Sequence, residues 1–241
     1  MHRNPRWIRQ IVRAGLSVVL TVTAVLGVWT SQGEAGTSSM PRWPARVDWQ
    51  RMVEAPKTPV VHPVRVVATS GRVSGAASLI HAGVGRATLT RTSRGPTPSV
   101  ILDYGHDVGG IPYVTVHSVS GTPFLRISYS EGRQWASSAN GDVTPSNSMA
   151  GDLSRVDAMA VVYPGTMSTG LIQGGERYER IELASPGSVS ISSVGIRFTA
   201  VRGTASVMRG WFASSSSELN RIWYDGAYTT QLNELPAHTA P

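Results

Sequence analysis

The chain has 241 residues, no cysteine, 22 Lys+Arg against 15 Asp+Glu, and a formal charge of +7. Hydrophobic residues make up 41% and charged residues 15%, too apolar and too weakly charged for a disordered chain, and the length suffices to bury a core. The lack of cysteine excludes a disulfide scaffold, thiolate-held zinc or iron–sulfur, and a thiol nucleophile.

Arg3, Arg6, Arg9 and Arg13 precede every acidic residue, and Ala14 to Gly33 carries no charge. A basic stretch followed by an apolar run is the pattern of a secretory signal, with Gly33 and Ala35 as the small residues of a cut after Ala35. The run is close to the ~20 residues that span a bilayer, so an uncleaved anchor over 14–33 is the alternative. Residues 1–35 therefore read as a signal peptide or signal anchor. The protein is expected to be secreted or extracytoplasmic, meeting a membrane only through that segment. Without these residues, 18 basic and 14 acidic side chains remain, +4. The bases are scattered and Lys57 is the one lysine, so no phosphate-binding groove for nucleic acid emerges.

Residues 36–59 hold Pro41, Pro44, Pro56 and Pro59, a linker or an extended segment laid over the domain. Trp43 and Trp49 suggest that part of it docks on an apolar surface. From residue 60 to 213 the pattern is short β-runs between turn residues. Val60–Val67 contains Pro63, which argues for an edge. Val100, Leu102 and Tyr104 alternate with Ile101 and Asp103, and Tyr113–Val119 follows a glycine-rich turn. Leu125, Ile127 and Tyr129 alternate with Arg126 and Ser128; further runs end at Tyr163, Leu183 and Ala200. Period-two apolar positions give each strand one buried face, and many short strands with Gly/Pro turns predict an all-β sandwich or jelly roll. Residues 130–157 form a long polar insertion with Trp135 as its large aromatic. Ser215-x-x-Glu218 fits a capping box, and Leu219, Ile222 and Trp223 then fall at helical spacing within 214–241.

The chemistry is sparse. Asp103, His106 and Asp107 supply metal- or proton-handling groups, but the pattern reads better as a strand and turn whose side chains cap backbone groups. Metalloprotease, EF-hand, Walker and nucleophile-elbow motifs are missing, and no cofactor is implied. Glycoside hydrolysis needs two carboxylates ~5–10 Å apart. Glu131, Asp142, Asp152, Glu176, Glu179 and Glu182 are available, but nothing in the sequence brings two together. Glu176–Arg180 reads as cross-strand charge pairing on an exposed face. Trp135 and Tyr129 are the candidate substrate-binding residues, because aromatic faces suit the C–H side of a sugar; burial under the loop is the alternative.

Three stretches carry a family resemblance. Val100-Ile101-Leu102-Asp103-Tyr104-Gly105-His106-Asp107-Val108-Gly109-Gly110 resembles a strand and turn in the N-terminal β-sandwiches of α-L-rhamnosidase-like glycoside hydrolases. Gln173-Gly174-Gly175-Glu176-Arg177-Tyr178-Glu179-Arg180-Ile181 is similar to a later strand of the same sandwich. Gly210-Trp211-Phe212 through Ser217-Glu218-Leu219-Asn220-Arg221-Ile222-Trp223, with Gly226 to Asn233, resembles the start of the family's helical barrel. The resemblance implies a galactose-binding-like jelly roll joined to an (α/α)6 six-hairpin barrel that releases terminal L-rhamnose by inversion, using acidic residues of the barrel. On that reading 214–241 is the first helix of a truncated barrel. The chain is expected to be a non-catalytic portion with carbohydrate as its partner and no catalytic residue of its own. A stand-alone secreted carbohydrate-binding module or surface adhesion domain is the alternative.

Overall fold

A computed structural model describes residues 48–80, 85–142, 155–200 and 202–234. All of these fall in one unit, Arg46–Pro241. Residues 1–35, expected from the sequence to be a signal peptide or signal anchor, residues 36–47 with Trp43, residues 143–154 of the polar insertion, and 235–241 lie outside the described residues.

Ten antiparallel strands and one α-helix carry the fold among the described residues. In chain order these are β1 (Val60–Val61), β2 (Arg65–Ser70), β3 (Val73–Ser74), β4 (Ala87–Arg91), β5 (Ser99–Ser120) and β6 (Phe124–Ser130). Then come β7 (Val156–Ala160), β8 (Gly165–Met167), β9 (Gln173–Leu183), β10 (Gly187–Phe198) and α1 (Ser217–Leu232). The runs at 100–104 and 113–119 are one strand of 22 residues, where the sequence predicted two strands and a turn. Its first part pairs with β2 and β9, and its second with β10 and β8. The glycines between them bend the strand and do not reverse it. Gly105 takes φ +87°, and a Cβ on Gly110 would lie 2.1 Å from the Arg197 carbonyl oxygen.

The bend makes two layers, β2-β5-β9-β6-β7 and β3-β4-β10-β5-β8, with β1 on the far end of β10. Leu102, Leu125, Ile127 and Ile181 from the first layer meet Leu89, Val114, Val189 and Ile191 from the second in one buried cluster. No residue of α1 joins that cluster, so each layer is the cover of the other: the fold is an all-β sandwich. Arg91 of β4 donates to the Leu183 carbonyl of β9 across the two layers at 3.0 Å. Pro63 marks the crossover of the chain from β1 on one layer to β2 on the other.

Two strands exceed expectation. β4 was not predicted, although Ala87 and Leu89 are buried between the outward Thr88 and Thr90. The serine-rich first half of β10 is strand as well, with Val189 and Ile191 inward. Residues 48–59 lie along the domain, and Phe198 donates to the Pro59 carbonyl at 2.9 Å.

The helix begins one residue later than the capping box suggests. Ser216, not Ser215, is the cap, its Oγ accepting from the Leu219 amide at 3.3 Å. The buried face is polar and aromatic: Asn220, Tyr224 and Tyr228. Asn220 exchanges hydrogen bonds with the Ser214 backbone, and Tyr228 donates to the Asp107 carbonyl at 2.7 Å. Leu219 and Ile222 face solvent, 54% and 58% exposed. No helix among the described residues is long and apolar enough to cross a membrane.

Candidate functional site

The β5 bend sets two groups of side chains on either side of the strand. One is enclosed. Tyr104 donates to Glu179 Oε2 at 2.6 Å, Tyr129 to Asp157 Oδ2 at 2.9 Å, and Thr169 to Asp157 Oδ1 at 2.8 Å. Glu176 and Glu179 are wholly buried, which overturns their reading as exposed cross-strand charges. Glu179 shares the parity of Ile181 and Leu183 along β9, so the pleat turns it inward. Gly175, at φ +58°, precedes Glu176 where the β5–β9 register slips. Neither Glu176 oxygen nor Glu179 Oε1 has a hydrogen-bond partner. Burial pushes Glu179 up to about 8, the Tyr104 hydrogen bond opposing and Asp157 adding. Burial likewise holds Glu176 well above the usual carboxylate range, against the pull of Arg155. Burial thus favours the protonated form of both glutamates and shuts them away from any substrate.

The other group faces a cavity of about 260 Å³ between the bend, the 48–59 segment and α1. Glu54, His106, Asp107, Arg177, Asp225 and Tyr228 line it. Burial, then a hydrogen bond to and repulsion by Asp225, raise Glu54. Burial raises Asp107 against the attraction of Arg177, and lowers His106 against that of Asp107. Beneath them Asp103 is held by Arg65, by Arg177 at 3.0 Å and by the Gly105 amide at 2.7 Å. Burial pushes its carboxyl up, but these hydrogen bonds prevail and leave it below the usual carboxylate range. Asp103 therefore works as a backbone cap within the bend, the role its motif suggested. Among the described residues no three His, Cys, Asp or Glu side chains are set to hold a metal ion.

The two aromatic candidates are not brought together on one surface. Tyr129 is fully buried in the sandwich core, on the inward face it shares with Leu125 and Ile127, so its ring has no face to offer a sugar. Trp135 ends a short 3-10 turn, Arg133–Trp135, and is 46% exposed. The next residue, Ala136, is buried against Ile101 and Tyr178 on the outside of the first layer. Ser128 donates to the Ser138 carbonyl at 2.8 Å, and Arg126 to Asn140 at 2.6 Å, which pin the described part of the insertion to β6.

No family model and no curated protein matches the chain. Solved structures do. A rhamnosidase from Klebsiella oxytoca with rhamnose bound shares the fold at 15% identity and a TM-score of 0.51, over 78% of this chain and 38% of that one. The chain thus spans well under half the length of that enzyme. A GH78 family rhamnosidase of Bacillus sp. GL1 matches at 14% identity and TM-score 0.46, over 64% of this chain and 15% of its own. The CBM32 of AlyQ in complex with 4,5-unsaturated mannuronic acid matches at 16% identity and TM-score 0.30, over 56% of this chain and 96% of its own.

Proposed function

We propose that the chain is an exported, non-catalytic β-sandwich portion of an α-L-rhamnosidase-like glycoside hydrolase that engages carbohydrate. The sandwich is of the jelly-roll, galactose-binding-like kind, and α1 is the first helix of a six-hairpin helical domain. The observation that carries this reading is the shared fold with the Klebsiella rhamnosidase, over most of this chain and 38% of that enzyme. The three motif stretches support it by where they fall: the β5 bend, the start of β9 and the start of α1. Two of the sequence's candidate carboxylates, Glu176 and Glu179, are buried and cannot reach a glycosidic bond.

Purified protein should not turn over an aryl α-L-rhamnoside; turnover that survives repurification overturns the non-catalytic reading. Mass spectrometry of the exported N-terminus should find the cut after Ala35, and an intact 14–33 segment would show a membrane anchor instead.

A second reading, a stand-alone secreted carbohydrate-binding module, is favoured by the half-exposed Trp135 on its pinned loop. Glycan-array binding that disappears with Trp135→Ala supports it, and a blank array counts against it.

A further inference from the structure

The outer face of the second layer is a field of hydroxyls. The pleat that turns Leu89, Val114, Val189 and Ile191 into the core turns their neighbours outward, and the register aligns them in rows. In one row Thr90 of β4 faces Ser188 of β10, which faces Ser120 of β5. In the next, Ser74 of β3 faces Thr88, then Ser190, then Ser118. Beyond the bulges in β5 and β10, Ser193 faces Thr115, which faces Thr166 of β8. Neighbouring hydroxyls touch: Thr88 and Ser190 at 3.3 Å, Thr90 and Ser188 at 3.1 Å, Thr115 and Thr166 at 3.0 Å. Ser188 also donates to the Leu89 carbonyl at 3.3 Å, which leaves the Thr90–Ser188 pair with lone pairs to offer, while the Thr115–Thr166 pair keeps a donor as well.

Three further features separate this face from an ordinary solvated sheet. No Asp, Glu or Lys occurs in β3, β4, β8, β10 or the 110–120 part of β5, whose charged residues are Arg91 and Arg197. A depression of about 440 Å³ opens beside Thr88 and Thr90, with Ser74 and Arg72 on its wall. At the other end Tyr113 runs over Gly195, where a Cβ would lie 2.9 Å from its hydroxyl, and the Arg197 guanidinium stands 5.5 Å from the ring centre. The field crosses five strands, on the order of 19 Å at ~4.8 Å per strand spacing. That is room for an extended polymer, not a single small molecule.

We propose that this hydroxyl face is a binding surface for a neutral glycan chain laid across β4, β10 and β5. Sugar hydroxyls, like Ser and Thr hydroxyls, both donate and accept. A face without carboxylates has nothing to hold a cation, and its dispersed Ser and Thr hydroxyls match a polyhydroxyl ligand. The inference rests on the carbohydrate reading above and adds to it a site on the opposite layer from the Trp135 loop.

The test is affinity electrophoresis of the full chain in gels containing rhamnan, xyloglucan or polygalacturonate. A neutral glycan should retard the wild type, and Thr88→Val/Thr90→Val and, separately, Tyr113→Ala should weaken that retardation at least tenfold. Valine keeps the shape and strand preference of threonine, so matched thermal melts show that the sandwich is intact; Tyr113→Ala decides if the double variant does not fold. If the face variants bind like the wild type while Trp135→Ala does not bind, the face proposal is overturned and the carbohydrate reading stands. If only polygalacturonate binds, and salt abolishes it, the face proposal is overturned as charge attraction. If nothing retards the wild type, both readings fall.

Discussion

Replacing Glu179 with glutamine should flatten the dependence of stability on pH. Glu179 is wholly buried, Tyr104 donates to one of its oxygens, and the other has no partner. The groups around it are Tyr104 on β5, Tyr129 on β6, Asp157 on β7 and Glu176 on its own strand; none is a cation. Its folded value of about 8 lies above the unfolded 4.5, so the folded protein holds this proton more tightly than the unfolded chain. The contribution is fully present below about pH 4.5 and is lost as pH rises to about 8. At ~1.4 kcal/mol per unit, the wild type should have lost on the order of 3 kcal/mol from this group by pH 7. Glu179→Gln keeps an acceptor for Tyr104 but cannot ionise. Its amide adds an unpartnered donor, a cost of ~1–3 kcal/mol that does not vary with pH. The slope, not the offset, is therefore diagnostic. Urea unfolding at pH 5, 7 and 8.5 should show the variant gaining on the wild type at each step. Parallel curves for the two proteins would refute the buried-proton account.

Three pairs of variants test the architecture. Gly110→Ala forces a Cβ into the Arg197 carbonyl and should cost about 3 kcal/mol or more, while Gly226→Ala, with open space around it in the helix, should add ~0.5–1 kcal/mol; thermal melts compare them. Ser216→Ala should cost about 1 kcal/mol and Ser215→Ala almost nothing, since only the former caps α1. Leu219→Lys with Ile222→Glu should raise solubility at unchanged melting temperature, whereas Tyr228→Phe, which loses the bond to Asp107, should lower stability by about 1 kcal/mol.

The sandwich was legible because apolar side chains at every second position have one place to go. The same rule placed Tyr129 inward with Leu125 and Ile127, so its candidacy as a sugar platform conflicted with the pattern it sat in. Glu179 was equally readable from Ile181 and Leu183, but a carboxylate in strand parity is usually solvated, and sequence does not show which layer covers it. The bend in β5 was not legible: a tight turn and a close backbone crossing both demand the absence of Cβ, so Gly109 and Gly110 look alike in either. The cavity residues Glu54, Asp107, Arg177 and Asp225 come from four remote segments, and no spacing announces their meeting. The first half of β10 hid behind its serines, which serve turns as readily as a strand whose outer face carries hydroxyls.

The helix supplies the last step. An amphipathic helix built to complete this sandwich would set its apolar stripe on the core, and α1 does the reverse. It holds the bend through a tyrosine hydroxyl and meets the 48–59 segment through the Glu54–Asp225 contact. Leu219 and Ile222 point away from the sandwich, and Trp211 nearby is 57% exposed. The sandwich does not need this helix for its core, because the two layers bury each other and no α1 side chain enters between them. Its contact with the bend is local, the Tyr228 hydrogen bond joined by the packing of that ring on His106 and of Leu232 beside Gly109. A helix so oriented presents a hydrophobic side to whatever packs next to it. That orientation favours the reading of α1 as the first element of a neighbouring helical layer over a closing element of the β-domain.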